Sequence, residues 1–165
     1  MSKQGDAAYA WFLQGYNCSQ SVVAAFAPQL GLTEEMALRL SAGFGAGIGR
    51  MREVCGAFCG VVTVLSMVYA DPTDPKDKSR MYALVQQAAE QYRTRNGGGS
   101  IICRALPPPG ARRQRNALQT IIKSAPARSC AAFAPTCAQN LLRRTRRDGT
   151  DYIRRMRKCS LNNWN

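Results

Sequence analysis

The fold turns on the stretch from Ala42 to Tyr69, AGFGAGIGRMREVCGAFCGVVTVLSMVY. Gly43, Gly45, Gly47 and Gly49 occupy every second position, and a short charged turn with Arg50, Arg52 and Glu53 follows. Glycine in this pattern lets the backbone approach a neighbour closely and take up positive φ. The run from Val54 to Ala70 is long and predominantly apolar. It suits a buried helix of about four turns, with Glu53 placed to favour the N-terminus. Cys55 and Cys59 then fall one helical turn apart at the start of a core helix, beside a glycine loop. The run sits at the short limit for a bilayer span, and Arg52 and Glu53 directly before it favour a buried helix over a membrane segment.

Outward from this stretch, the pattern stays helical. Asp6 to Gln14 (DAAYAWFLQ) suits a short amphipathic helix with Asp6 as N-cap and Gly15 near its end. Asn17-Cys18-Ser19 opens a second helix, closed by Gly31, which places Cys18 at or near a helix N-terminus. A helix dipole lowers a thiol pKa at such a position, although a small buried residue at a tight junction would read the same way. Thr33 caps a third helix whose first turn carries Glu34 and Glu35. After a turn at Asp71–Pro75, residues Lys76 to Thr94 place Met81, Leu84, Val85, Ala88, Ala89 and Tyr92 on one apolar face. Nothing alternates with period two. The expected fold is all-α, a small multi-helix bundle with a glycine-rich loop, followed by a basic, disordered or irregular C-terminal tail.

The chain of 165 residues, 45% hydrophobic, holds at most one ordinary domain plus an extension. Seven cysteines without an apolar leader in MSKQGDAAYAWFLQG point to a reducing, cytoplasmic setting, where thiols bind metal or do redox work. The absence of any histidine removes most hydrolytic zinc sites and all Cys–His nucleophiles. The net charge of +13 is unevenly spread: residues 1–95 carry 9 basic and 8 acidic residues, and 96–165 carry 14 and 2. These shifts divide the chain into a helical cysteine-containing domain over 1–106 and a basic tail over 107–165.

The glycine run is neither a dinucleotide fingerprint nor a P-loop, because no strand precedes it, the spacing is wrong and no Gly-Lys-Ser/Thr occurs. Two readings remain. Either helices pack closely at a glycine corner, or Gly45, Gly47 and Gly49 form a backbone cradle for a ligand or cluster near Cys55. Cys18, Cys55 and Cys103 come from separate segments. Converging on one point, with or without Cys59, they would form a set of three or four thiols. Cys18, Cys55, Cys59 and Cys103 could then hold a metal ion or an iron–sulfur cluster, or the thiols could exchange disulfides. Buried structural cysteines are the plain alternative.

The strings GYNCSQSVVAAF, GFGAGIGRMREVCGAFCG and SIICRAL resemble the C-GCAxxG-C-C family of redox-active proteins, which are small, helical and intracellular. Matched by motif, Cys18 is the first recurring cysteine, Cys55 the second and Cys103 the third, over about residues 6–106. The order at Cys55 is Cys-Gly-Ala where the family has Gly-Cys-Ala, and Cys59 falls on an unassigned position of the motif. The resemblance implies Cys18, Cys55 and Cys103 as the catalytic set of a redox protein, and a fourth cysteine in a basic-Pro-Cys context. Cys130 is the nearest candidate, and it matches poorly.

The tail supports three readings. Thr120 to Arg128 can be encoded by codons that, read from the third base, spell Tyr-Tyr-Lys-Lys-Arg-Pro-Cys-Pro, so the tail could be translated out of frame. It could be a disordered, solvated extension. Or the clusters Arg143–Arg147 and Arg154–Lys158 could neutralise nucleic-acid phosphates, although aromatic interleaving is nearly absent. The sequence thus points to an oxidoreductase-type function through clustered cysteines, with a basic nucleic-acid-associated protein as the rival. It names no redox partner and gives no sign of membrane attachment.

Overall fold

The computed structural model describes residues 3–96, 99–108, 116, 117 and 120. All lie in the first of two units into which the chain divides, Met1–Ser124. Five α-helices follow in order: α1 (Lys3–Leu13), α2 (Cys18–Leu30), α3 (Glu34–Ser41), α4 (Gly56–Tyr69) and α5 (Lys78–Arg95). Single 3-10 turns occupy Ala42–Phe44, Pro75–Asp77 and Cys103–Ala105, and the described residues contain no strand. The protein is all-α. No described helix is long and apolar enough to cross a membrane.

The centre of the bundle is α2, which packs against α1, α3 and α4, while α4 also packs on α5. Its buried residues are small or β-branched apart from Phe26, and Ser19, Ser21, Val22, Val23, Ala24, Ala25, Phe26 and Ala27 are all buried. A helix apolar on every side belongs in the middle of a core. Close approach to α4 depends on Gly60, since a Cβ there would stand 2.8 Å from Val22 Cβ and 3.2 Å from the Ser19 carbonyl oxygen.

The helix ends follow from local chemistry. Asn17 caps α2 by accepting from the N–H groups of Ser19 and Gln20, and the Gln20 side chain returns the bond to Asn17 N, completing a capping box. Gly31 ends α2 in a left-handed conformation, donating to Ala27 and Pro28. Thr33 Oγ1 caps α3 through Met36 N. Two helix starts differ from the sequence expectation. Asp6 lies inside the first turn of α1, not at its N-cap position, and its charge there suits the dipole. Val54 is not helical: it forms an isolated antiparallel bridge with Ile102, and α4 begins only after Cys55.

Packing of the first unit also takes in Asn116, Ala117 and Thr120. Asn116 Nδ2 donates to the Arg95 carbonyl at 2.9 Å, and Ala117 and Thr120 are buried. Asn116, Ala117 and Thr120 are helical. The basic clusters, Cys130, and all but Thr120 of the segment read for a shifted frame lie outside the described residues.

Candidate functional site

The alternating glycines lead into a loop that winds left-handed. Ala46, Gly47, Ile48, Gly49 and Arg50 all have positive φ, between 53 and 80°, and Arg52 follows at 63°. Left-handed backbone costs an L-residue roughly 1–2 kcal/mol, so Ala46, Ile48, Arg50 and Arg52 are strained. The loop's own hydrogen bonds hold it. Ile48, Gly49, Arg50, Met51 and Glu53 donate to the carbonyls of Phe44, Gly43, Gly45, Ile48 and Gly47 respectively.

This loop packs onto protein rather than around an open space. A Cβ at Gly45 would meet the Asn17 side chain at 2.6–2.8 Å, and one at Gly47 would meet Cys103 Cβ at 2.7 Å and Glu53 N at 2.8 Å. Only at Gly49, of the three glycines expected to form a cradle, is the space open. The geometry is that of a close-packed glycine corner.

The chain then pairs with a distant segment. Cys55 N donates to Ile101 O at 2.8 Å and Cys103 N donates to Glu53 O at 2.6 Å, on either side of the Val54–Ile102 bridge. In an antiparallel pair alternate residues share a face. Cys55 and Cys103 therefore lie on one face of this short ribbon, as diagonal neighbours, opposite to Val54 and Ile102. Beside the ribbon, Arg104 forms a forked ion pair with Glu53, 2.7 and 3.4 Å. Cys18 reaches the same region from α2: its Cβ would lie 3.4 Å from a Cβ built on Gly56, the residue after Cys55.

Each of these three cysteines starts a helical element. Cys18 is the first residue of α2, Cys55 the N-cap of α4, and Cys103 the first residue of the Cys103–Ala105 turn. All three are buried, with exposures of 6, 0 and 5%, and all are thiols. Cys55 Sγ lies 3.3 Å from the hydroxyl of Tyr92, which is itself fully buried on α5. Sequence reasoning placed Tyr92 only on an apolar face. The usable signal was that a buried phenol needs a hydrogen-bond partner.

Cys59 is different. It is half-buried in the first turn of α4, and its thiol donates a long bond to Val54 O at 3.9 Å. Burial, and next the charge of neighbouring Cys55, push its pKa up to about 11, partly offset by its own backbone N–H. Among the described residues, no group of three or more cysteine, aspartate or glutamate side chains is arranged to hold a metal ion. The four thiols expected as metal ligands, Cys18, Cys55, Cys59 and Cys103, are thus not grouped as a metal-binding set among the described residues.

A family model described as "Putative redox-active protein (C_GCAxxG_C_C)" matches residues 16–143. The chain belongs to this C-GCAxxG-C-C family. The match begins after α1 and continues past Leu106 through the segment that carries Cys130 and Cys137. No curated protein matches the chain, and no solved structure does.

Proposed function

We propose that the chain is a thiol-based redox protein that cycles between thiol and disulfide, with Cys55 at its working centre and Cys18 and Cys103 as the neighbouring motif thiols. The observation that carries this reading is the backbone pairing of residues 53–55 with 101–103, which sets Cys55 and Cys103 on one face. Cys18, seated against Gly56, brings the third motif cysteine to the same helix start.

Chemically, a thiolate attacks a disulfide sulfur and a second thiol displaces the leaving group, so two thiols are oxidised as one disulfide is reduced. The α4 N-terminus favours negative charge at the N-cap, where Cys55 stands. The Tyr92 hydroxyl at 3.3 Å is positioned to donate to that sulfur when it is ionised. Burial of the three motif thiols protects them from indiscriminate oxidation.

The test is equilibration of the full chain in glutathione buffers of graded ratio, acid quenching, alkylation and mass spectrometry. One reversible intramolecular disulfide that includes Cys55, and that disappears in Cys55→Ser, is expected. Thiols that stay reduced at every ratio, or oxidise equally well in Cys55→Ser, would refute the proposal.

A further inference from the structure

Cys55 has no exposed surface, so an external disulfide cannot touch its sulfur in this structure. Cys59, outside the family's recurring cysteines, is the only half-exposed thiol among the described cysteines. It is also bound to Cys55 through the backbone, its N–H donating to Cys55 O at 2.9 Å. In a helical turn, residues i and i+4 have Cα atoms about 6 Å apart. That falls inside the roughly 4.4–6.8 Å span of a disulfide. A disulfide also needs the two Cβ atoms within roughly 3.5–4.5 Å of each other, an approach that rotation at Cys55 must supply.

The residues that must give are able to do so. Cys55 is an N-cap with φ −58° and ψ 127°, outside the helix proper, so its dihedrals can turn without breaking an interior helical turn. Cys59 Sγ already bonds to Val54 O, so its side chain leans back toward the start of α4, on the Cys55 side.

We propose that Cys59 is the solvent-side partner of Cys55, taking up an external disulfide and passing the oxidation inward as a Cys55–Cys59 disulfide. This rests on the thiol redox reading above and adds the entry point and the pair. In the first step the small fraction of Cys59 that is ionised below its raised pKa of about 11 attacks one sulfur of a small organic disulfide RS–SR. A Cys59–SR bond forms, the RS–SR bond breaks, and one thiolate leaves. In the second, Cys55 attacks Cys59 Sγ, the Cys55–Cys59 bond forms, the Cys59–SR bond breaks and the second thiolate leaves. Two cysteines lose two electrons, the external disulfide gains them, and the two cysteine protons end on the two departing thiols. Forming the mixed disulfide on Cys59 leaves the buried core intact, because only the half-exposed side of α4 carries it.

The probe is oxidised glutathione, with the full-length protein, Cys55→Ser and Cys59→Ser compared after acid quenching and peptide mapping. In the wild type the first disulfide maps to Cys55 and Cys59. In Cys55→Ser a glutathione adduct accumulates on Cys59, because nothing resolves it. In Cys59→Ser, oxidation of Cys55 slows by roughly tenfold or more, since a buried thiol reacts only through local opening. A first disulfide from Cys55 to Cys18, Cys103, Cys130, Cys137 or Cys159, with Cys59 still alkylated at the reduced-protein rate, overturns the proposal and leaves the redox reading standing. Cys55 reduced at every glutathione ratio overturns both. Circular dichroism checks that each variant folds; should one fail, the wild-type map decides alone.

Discussion

Replacing Gly47 by alanine isolates what the glycine loop contributes. Gly47 has φ 80°, and a Cβ there would stand 2.7 Å from Cys103 Cβ, 2.8 Å from Glu53 N and 2.9 Å from Arg52 C. Ordinary carbon contacts are about 3.5–4.0 Å, so the overlap is close to 1 Å, and two of the three atoms are backbone. Left-handed alanine costs about 1 kcal/mol and relief of the overlap about 1–3 kcal/mol more. Gly49, with φ 57° and nothing within 4 Å of its Cβ position, carries the first cost without the second. Both substitutions stiffen the unfolded chain alike, so that contribution cancels between them. Gly47→Ala should therefore lose about 1–3 kcal/mol more than Gly49→Ala, read as a lower urea midpoint at constant slope. Displacement falls on Cys103 and on the Glu53 backbone that bonds it, so alkylation of Cys103 should speed up in Gly47→Ala alone. Equal destabilisation of the two variants would refute the close packing of loop against Cys103.

Three further outcomes are expected. Asn17→Ala should cost about 2 kcal/mol, the upper end for a cap, because its side chain accepts from Ser19 N and Gln20 N and also donates to Ala42 O at 2.9 Å; a urea midpoint within error of wild type would contradict the capping role. Tyr92→Phe keeps the ring against Phe58 and deletes the hydroxyl beside Cys55, so it should cost about 1 kcal/mol and change the rate of Cys55 alkylation. No change in either quantity would mean that the Tyr92–Cys55 contact is absent in solution. The third concerns pH. Cys59 keeps its proton to about pH 11 in the folded state and loses it near the ordinary value of 9.0 when unfolded. Its contribution to stability is thus fully present below pH 9 and is lost as pH rises through 11. With solvent screening at a half-exposed group the loss is about 1 kcal/mol. It is measured as the wild-type minus Cys59→Ser difference in unfolding free energy, and a difference that stays flat over that window counts against it.

Helix ends were legible wherever one side chain or one glycine decides them: Asn17, Gly31 and Thr33 carry their caps in their own neighbourhoods. Val54 was not, because its apolar run continues smoothly into α4, and what removes it from the helix is Ile102, far along the chain. The same pairing decides which cysteines share a face, so spacing alone could propose that Cys18, Cys55 and Cys103 converge without saying how. The alternating glycines did announce an unusual loop. They could not announce that Ala46, Ile48, Arg50 and Arg52 share its left-handed conformation, since no residue type signals a strain that the surrounding contacts impose. Spacing did reveal Cys59, but its half-exposed position beside a buried partner is a property of packing.

The two helix starts at the site are built differently, and the difference bears on which sulfur carries charge. At α2 the first N–H groups are met by Asn17, so Cys18 follows a start that is already capped. At α4 the N-cap is Cys55 itself, and its side chain makes no capping hydrogen bond. Gly56, Ala57 and Phe58 behind it are buried, which keeps water from the N–H groups that a helix start leaves without intrahelical partners. A thiol is a weak acceptor for such groups, whereas a thiolate is a charged one and gains from the dipole as well. With no histidine in the chain and Glu53 engaged by Arg104, the proposed attack by Cys55 would draw its electrostatic support from the N–H groups at the head of α4.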